Sequence, residues 1–471
     1  MNYKYDLLLK NGIIADYFSD RVGKADLAIK DGKIAEIAED IEASKAQECI
    51  DVSNLVVAPG IVDLHIHASA WLGGRYAHKM MAAHGVTTAL DMSGPVDSVL
   101  DIAATYGVGM NLATIEYVRP GDTVKDEDPS EDELKTLLSK TLAKGSLGFK
   151  LLGGHYPLTV EATKRAIEVV NREKAYIAFH AGSLENGSNL NGFLEAVKLA
   201  DGMPIHIAHA NSYCRGSIKS CEEEMKIVID TLLANPNVRT EAYLSPYNGT
   251  SAKCTDGLPE SLVTRKCLTT GGFAATEAGL EKAILAGWAN INIESGGQMV
   301  LGSGQDALRY WREKNMDTTV SFSVNPPSPR INLAMAKRPS GEFVVDCIST
   351  DGGGIPRNVI VEMGLALVNL QALSIKEFVQ KASYNPAQIL GLKNKGHLSI
   401  GADADITVLD IKNQVADLSV VNGKVIMFKG HVCGQGTNFI TTPQGLANVK
   451  AHGLEAIVVD LPNSMFYQKR K

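Results

Sequence analysis

The sequence predicts an α/β protein: a (β/α)8 TIM-like barrel with a small β-sandwich domain formed by both chain ends. Three observations carry that prediction. Hairpin-like β patterns are confined to the two ends, strand-like runs alternate with helical periodicity over ~340 residues between them, and histidines stand at the C-terminal ends of several of those runs. The 471 residues, 45% of them apolar, suffice for one large and one small domain.

Taken in order, residues 1–56 read as short strands and supply the N-terminal part of the sandwich: DLLLKNGIIA, then DLAIKDGKIAEIA, with Asp31-Gly32 as a hairpin turn between alternating runs. The barrel is assigned to residues 57–394 and opens with the apolar run that ends in VDLHIH. Strand-like runs at 87–92, 148–152, 176–180, 205–209, 239–243 and 344–349 alternate with helical patterns such as 160–172 and 223–233. Within it, residues 244–340 are long and mixed, with Gly/Pro-rich pieces (SGGQMVLGSG, VNPPSPR), and are expected to form an insertion or lid over the barrel mouth. Residues 395–440 return to β character, with a second hairpin turn at Asn422-Gly423, and are expected to complete the sandwich. Residues 441–471 form a C-terminal tail to which the pattern assigns no structure.

Composition narrows the function classes. A net charge of -7 and no Lys/Arg block argue against nucleic acid. No stretch approaches the ~18 apolar residues of a membrane span, and the N-terminus lacks a signal-peptide pattern, so the cytoplasm is the expected compartment. The seven cysteines are scattered without a CxxC pair, which suggests reduced thiols and no thiolate zinc site.

The chemistry-bearing residues stand at strand ends. His65 and His67 form an HxH, and period-2 alternation aims both imidazoles to one side, where they can share a metal. His180 closes KAYIAF and His209 closes MPIHIA, each where barrel enzymes place catalytic groups. His206, three residues before His209, is expected to face the other way and not to be a ligand. Lys150 ends GSLGFK; it either snorkels to the barrel mouth or, among imidazoles, loses its charge by carbamylation and becomes a carboxylate-like bridge. Asp351 opens DGGGIPRN after an apolar strand, as a ligand or as an Asx turn. Imidazole and carboxylate-type donors suit two divalent metal ions, Zn2+ first, with Mn, Fe or Co also fitting.

VDLHIH, GFK, FH, AH and STDG, in that order and between β-rich ends finishing in GADADITVLD, resemble the amidohydrolase superfamily over roughly residues 5–430. The resemblance implies that His65 and His67 hold one metal, that His180 and His209 hold the other, and that carbamylated Lys150 bridges them. It also implies that Asp351 ligates the first metal and moves protons. GVTTALDMSGP, GSLGFKLLGGHYPLT and EAYLSPYNGTS are similar to motifs of the D-aminoacylase branch. Ser93 stands where those deacylases carry a metal-bridging cysteine, so Lys150 takes the bridge, as in hydantoinases. Gly182 and Asn211 stand where that branch has basic residues for a substrate carboxylate.

The implied reaction is hydrolysis of a non-peptide C–N bond in a small-molecule amide, most directly deacylation of an N-acyl amino acid or related amide. The alternatives are a cyclic-amide hydrolase of the hydantoinase or dihydroorotase kind and a catalytically inactive scaffold. A deaminase fits less well, because AGSLEN after His180 lacks the Glu at the third position that many deaminases of the superfamily use. Tyr247, His155 and Arg357 are mouth-loop residues that either read the substrate or fill ordinary loop roles. A homo-oligomer is expected from the resemblance alone.

Overall fold

The computed structural model describes residues 3–470. Eight parallel strands follow one another in chain order: Ile61–His67, Val86–Asp91, Val108–Thr114 resumed as Glu116–Val118, Gly148–Leu152, Tyr176–His180, Ile205–Ile207, Val238–Tyr243, and Cys347–Ser349 resumed as Gly352–Gly353. Each pairs with the next. The eighth returns to the first through Gly352↔Ile66 and Gly353↔His67. The third strand has no counterpart in the sequence pattern, since VGMNLAT is poor in β-branched residues.

Parallel neighbours need crossovers, and amphipathic helices supply them. In Val160–Arg172 the Thr159 side chain accepts from the Ala162 N–H, and Ala162, Thr163, Ala166, Ile167, Val169 and Val170 form the buried face. Cys221–Ala234 starts in a Ser220/Glu223 capping box. No helix among the described residues is long and apolar enough to cross a membrane.

The two chain ends meet in a nine-stranded sheet, joined where Val56–Pro59 pairs antiparallel with Ile406–Asp410. Both anticipated hairpin turns are present. Asp31, Gly32, Asn422 and Gly423 have φ of 51, 74, 48 and 73°, the positive pair that a two-residue turn requires. Leu7, Leu9, Leu27, Val57, Ile406, Val408 and Leu418 share one buried cluster of this sheet.

Two boundaries need correction. The N-terminal contribution to the sheet runs to Pro59 rather than 56. Residues Gly436–Thr441, expected partly in the sandwich and partly in an unassigned tail, instead pair in parallel with Val108–Thr114, and Glu455–Val458 pairs beyond them. The cause is an open edge: on the third-strand side the fourth barrel strand meets Glu116–Val118 and not Val108–Thr114, whose backbone groups need another partner. The chain then runs back under the barrel, where Arg239 donates to the Met465 and Gln468 carbonyls and Arg470 pairs with Asp346.

The insertion builds its own four-stranded antiparallel sheet from Asn248–Ser251, Thr319–Phe322, Ala289–Ser295 and Gln298–Gly302. A separate core around Leu268, Leu280, Ile291, Trp311 and Phe322 supports it. It docks on helix Gly74–Ala83, just after the HxH strand, through ion pairing of Arg75 with Glu294 and a Tyr76 hydroxyl contact to the same carboxylate.

Candidate metal centre

His65 is buried and the His67 side chain is 16% exposed. Their Nε2 atoms lie 3.3 and 2.7 Å from the same oxygen of Asp351, Oδ1. Asp351 has φ of 52°, between the two halves of the eighth strand, and its N–H donates to the His65 carbonyl at 2.8 Å. The carboxylate is therefore aimed at the two histidines rather than spent on a local turn. Gly353 packs against the His67 backbone so closely that a Cβ has no room, which explains the glycine run after Asp351. The three ligand atoms lie within 4.8 Å of one another.

The second pair faces the first. Nδ1 of His180 and Nε2 of His209 are 3.1 Å apart, and the His209 ring stacks on His65 with centroids 5.3 Å apart. The outer nitrogens contact hydroxyls, His180 Nε2 with Ser188 Oγ at 2.8 Å and His209 Nδ1 with Ser212 Oγ at 2.6 Å. With those outer nitrogens carrying the protons, two lone pairs converge, which suits a shared cation at metal–nitrogen distances of about 2.0–2.1 Å. Gly154 allows this approach, because a Cβ there collides with His180.

Lys150 is 1% exposed, with Nζ 3.4 Å from His65 Nε2 and 3.2 Å from Met92 Sδ. It forms no ion pair among the described residues. Burial lowers its pKa to about 8, against the pull of Glu241, Asp351 and Asp91. Burial likewise brings His65 down to about 4 and holds His180 and His209 well below the ordinary imidazole value, so these rings are neutral and able to ligate near neutral pH. The six strand-end residues thus converge, and the donor set fits divalent metal.

Residues 327–433 match the amidohydrolase family model. The chain is 25% identical to the dihydroorotase of Streptococcus pneumoniae serotype 4 over 419 residues, covering 86% of this chain and 90% of that one. Among solved structures it resembles the N-acyl-D-glutamate deacylase of Bordetella bronchiseptica, complexed with zinc and a phosphonate inhibitor, with a TM-score of 0.63 at 15% identity over 92% of this chain and 99% of that one. The D-hydantoinase (dihydropyrimidinase) of Thermus sp. gives 0.57 at 16% identity over 92% and 98%. The sequence similarities point to the amidohydrolase superfamily. The chain's structural neighbours include D-aminoacylases and hydantoinases, and the shared architecture is a TIM-barrel-like α/β fold.

The sequence pattern does not single out Glu241, a fully buried carboxylate on the seventh strand. Its Oε1 lies 2.8 Å from His65 Nδ1 and accepts the His209 N–H at 2.8 Å, while Oε2 contacts His206. Burial pushes its pKa up, but His206 and His65 outweigh that and hold it well below the ordinary carboxylate value. The ionised carboxylate keeps the His65 proton on Nδ1 and leaves Nε2 free to ligate. An acidic residue inside VRTEAY, an otherwise buried strand, was the available signal.

His206 requires a correction. Strand parity was expected to turn it away from His209, yet it meets Glu241 and the Tyr176 hydroxyl inside the barrel. The strand ends at Ile207, and His209 has a φ of 39°, so alternation does not extend to it.

The remaining candidates divide. Arg357 is buried, pairs with Asp351 Oδ2 at 2.7 Å and donates to the Tyr247 carbonyl at 3.0 Å, so it positions Asp351 rather than projecting to a ligand. Tyr247 is anchored through that carbonyl, which Asn325 also contacts at 2.9 Å. His155 is exposed, with its ring 5.4 Å from that of His180. The Ser93 hydroxyl bonds Asp91 and Ser69. Gly182 packs on the Gly153 backbone, and Asn211 accepts the Tyr243 N–H at 3.1 Å.

Proposed function

We propose that this chain is a binuclear metal hydrolase of non-peptide C–N bonds, acting by deacylation of an N-acyl amino acid or related amide. One observation carries the reading: two histidine pairs, Asp351 and an unpaired buried Lys150 meet at one end of the parallel strands, with Glu241, Ser188 and Ser212 on the outward nitrogens of three rings. His65, His67 and Asp351 would hold one cation and His180 and His209 the other, with Lys150 as a carbamate between them. Two divalent cations, Zn2+ first, supply when bound the Lewis acidity that activates water and polarises the substrate carbonyl.

The protein's own contribution is proton handling and orientation. Burial works against ionised Asp351, but Arg357 and the histidines outweigh it and keep the group a carboxylate that can accept a proton from water. Returning that proton to the leaving nitrogen matters because an amine departs poorly as an anion. Arg357 fixes Oδ2 and so leaves Oδ1 toward the histidines.

A second reading, hydrolysis of a cyclic amide, is favoured by Lys150 and by similarity to dihydroorotase along most of the chain. A panel of N-acyl amino acids, hydantoins and dihydropyrimidines, assayed with metal analysis, separates the two. Asp351→Asn serves as control: turnover is expected to vanish while most of the metal remains. Full activity in that variant removes Asp351 from its role. A metal-free, inert protein from metal-replete cells supports the scaffold instead.

A further inference from the structure

Arg215 follows the short turn Ala210–Tyr213 that leaves His209. Its Nε donates to Asn325 Oδ1, and its Nη2 donates to the Tyr243 hydroxyl and to Asn248 Oδ1, each at 2.9 Å. All three acceptors are neutral. Among the described residues Arg215 forms no ion pair, and Nη1 has no protein acceptor although it is not sealed from solvent. The contrast with Arg357 is direct, since that guanidinium rests on the Asp351 carboxylate.

A second cation shares the arrangement. Among the described residues Arg330 donates only to the carbonyls of Leu244, Asn325 and Pro326, so Asn325 has one guanidinium on its side chain and another on its backbone. The Asn325 amide cannot turn over, because its Nδ2 is committed to the Tyr247 carbonyl at 2.9 Å. Two positive charges are thus held by neutral oxygens at the seam between barrel mouth and insertion. Partly desolvated cations without a counter-charge are costly, and the open Nη1 of Arg215 can donate to a carboxylate oxygen.

The seam belongs to the metal centre's surroundings. The Tyr243 ring lies 5.8 Å from the His209 ring, and its hydroxyl end bonds Arg215. On the same tyrosine's backbone, Asn211 keeps Oδ1 on the Tyr243 N–H, which leaves Nδ2 as a buried donor without an acceptor. Arg215 therefore stands about one tyrosine side chain from the second histidine pair.

We propose that Arg215 binds a carboxylate of the substrate remote from the C–N bond to be cleaved; this rests on the hydrolase reading above. It makes fixed negative charge a requirement for tight binding, whether the amide is linear or cyclic.

The test compares two shape-matched pairs that differ in charge, by calorimetry on the metal-loaded protein: N-acetylglutamate with N-acetylglutamine, and hydantoin-5-acetate with its carboxamide. In at least one pair the carboxylate is expected to bind at least about tenfold more tightly, as a charged hydrogen-bonded pair implies. Arg215→Gln should erase that preference, and Arg215→Lys should restore part of it. Equal affinities within both pairs, no binding by any member, or a preference that survives Arg215→Gln overturns the proposal. Hydrolysis without charge preference sinks this inference alone, whereas charge-selective binding without hydrolysis of any amide sinks the hydrolase reading instead.

Discussion

The buried carboxylate of Glu241 lies 2.8 Å from Nδ1 of His65, on the side of the ring that faces away from Lys150. The same oxygen accepts the His209 N–H, so one carboxylate orients a histidine of each pair. Glu241→Gln keeps the shape but weakens the acceptor and loses the charge that fixes the His65 tautomer. We expect metal affinity to fall about 10- to 100-fold, the usual cost of losing such an orienting partner. Chelator competition measures it, and an unchanged affinity would show that Glu241 does not tune the site.

Lys150 provides a separate prediction. An amine beside neutral imidazoles contributes to binding two cations only as an anion, so isotopically labelled bicarbonate should produce a carbamate signal that Lys150→Ala lacks. The variant is expected to retain fewer than two metals per chain and to lose at least about a hundredfold in activity. Native metal stoichiometry in Lys150→Ala is the result that sinks the bridge.

Much of this centre was legible because its residues sit at strand ends, where side-chain direction follows from position. HxH gave a shared direction for His65 and His67, and the apolar runs before Lys150 and His180 marked strand termini. Side-chain direction stops following from position where the backbone leaves the strand. His209 and Asp351 have positive φ, so parity predicted nothing about their directions, and His206 was assigned to the wrong face. Glu241 was missed because a buried carboxylate is recognisable only by partners from other strands. The pairing of residues 436–441 with the third strand depended on an edge that no local pattern reveals.

Gly154 tests how tightly the second pair is packed. A Cβ at this position collides with the His180 ring, so Gly154→Ala must displace that ring or the loop. The expected outcome is a loss of metal stoichiometry with a melting temperature close to native. Full occupancy of both metals in the variant would mean that the loop yields and that the glycine is not needed for ligand placement.

His78 makes a prediction about stability. It is fully buried in helix Gly74–Ala83, both ring nitrogens lack partners among the described residues, and burial alone lowers its pKa from 6.5 to about 4. Above pH ~6.5 the ring is neutral in both folded and unfolded chains and its titration contributes nothing. As the pH falls from about 6.5 toward about 4, the unfolded chain takes up a proton that the folded one refuses, so stability is lost across that window, by on the order of 3 kcal/mol in total. His78→Leu removes the titration and two unsatisfied polar atoms at similar volume. The variant should be more stable by about 1–2 kcal/mol near neutrality, with a margin that widens on acidification. Urea midpoints at about pH 7.5 and about pH 5 read this directly; parallel pH dependence in the two proteins would mean that His78 is not a source of acid sensitivity.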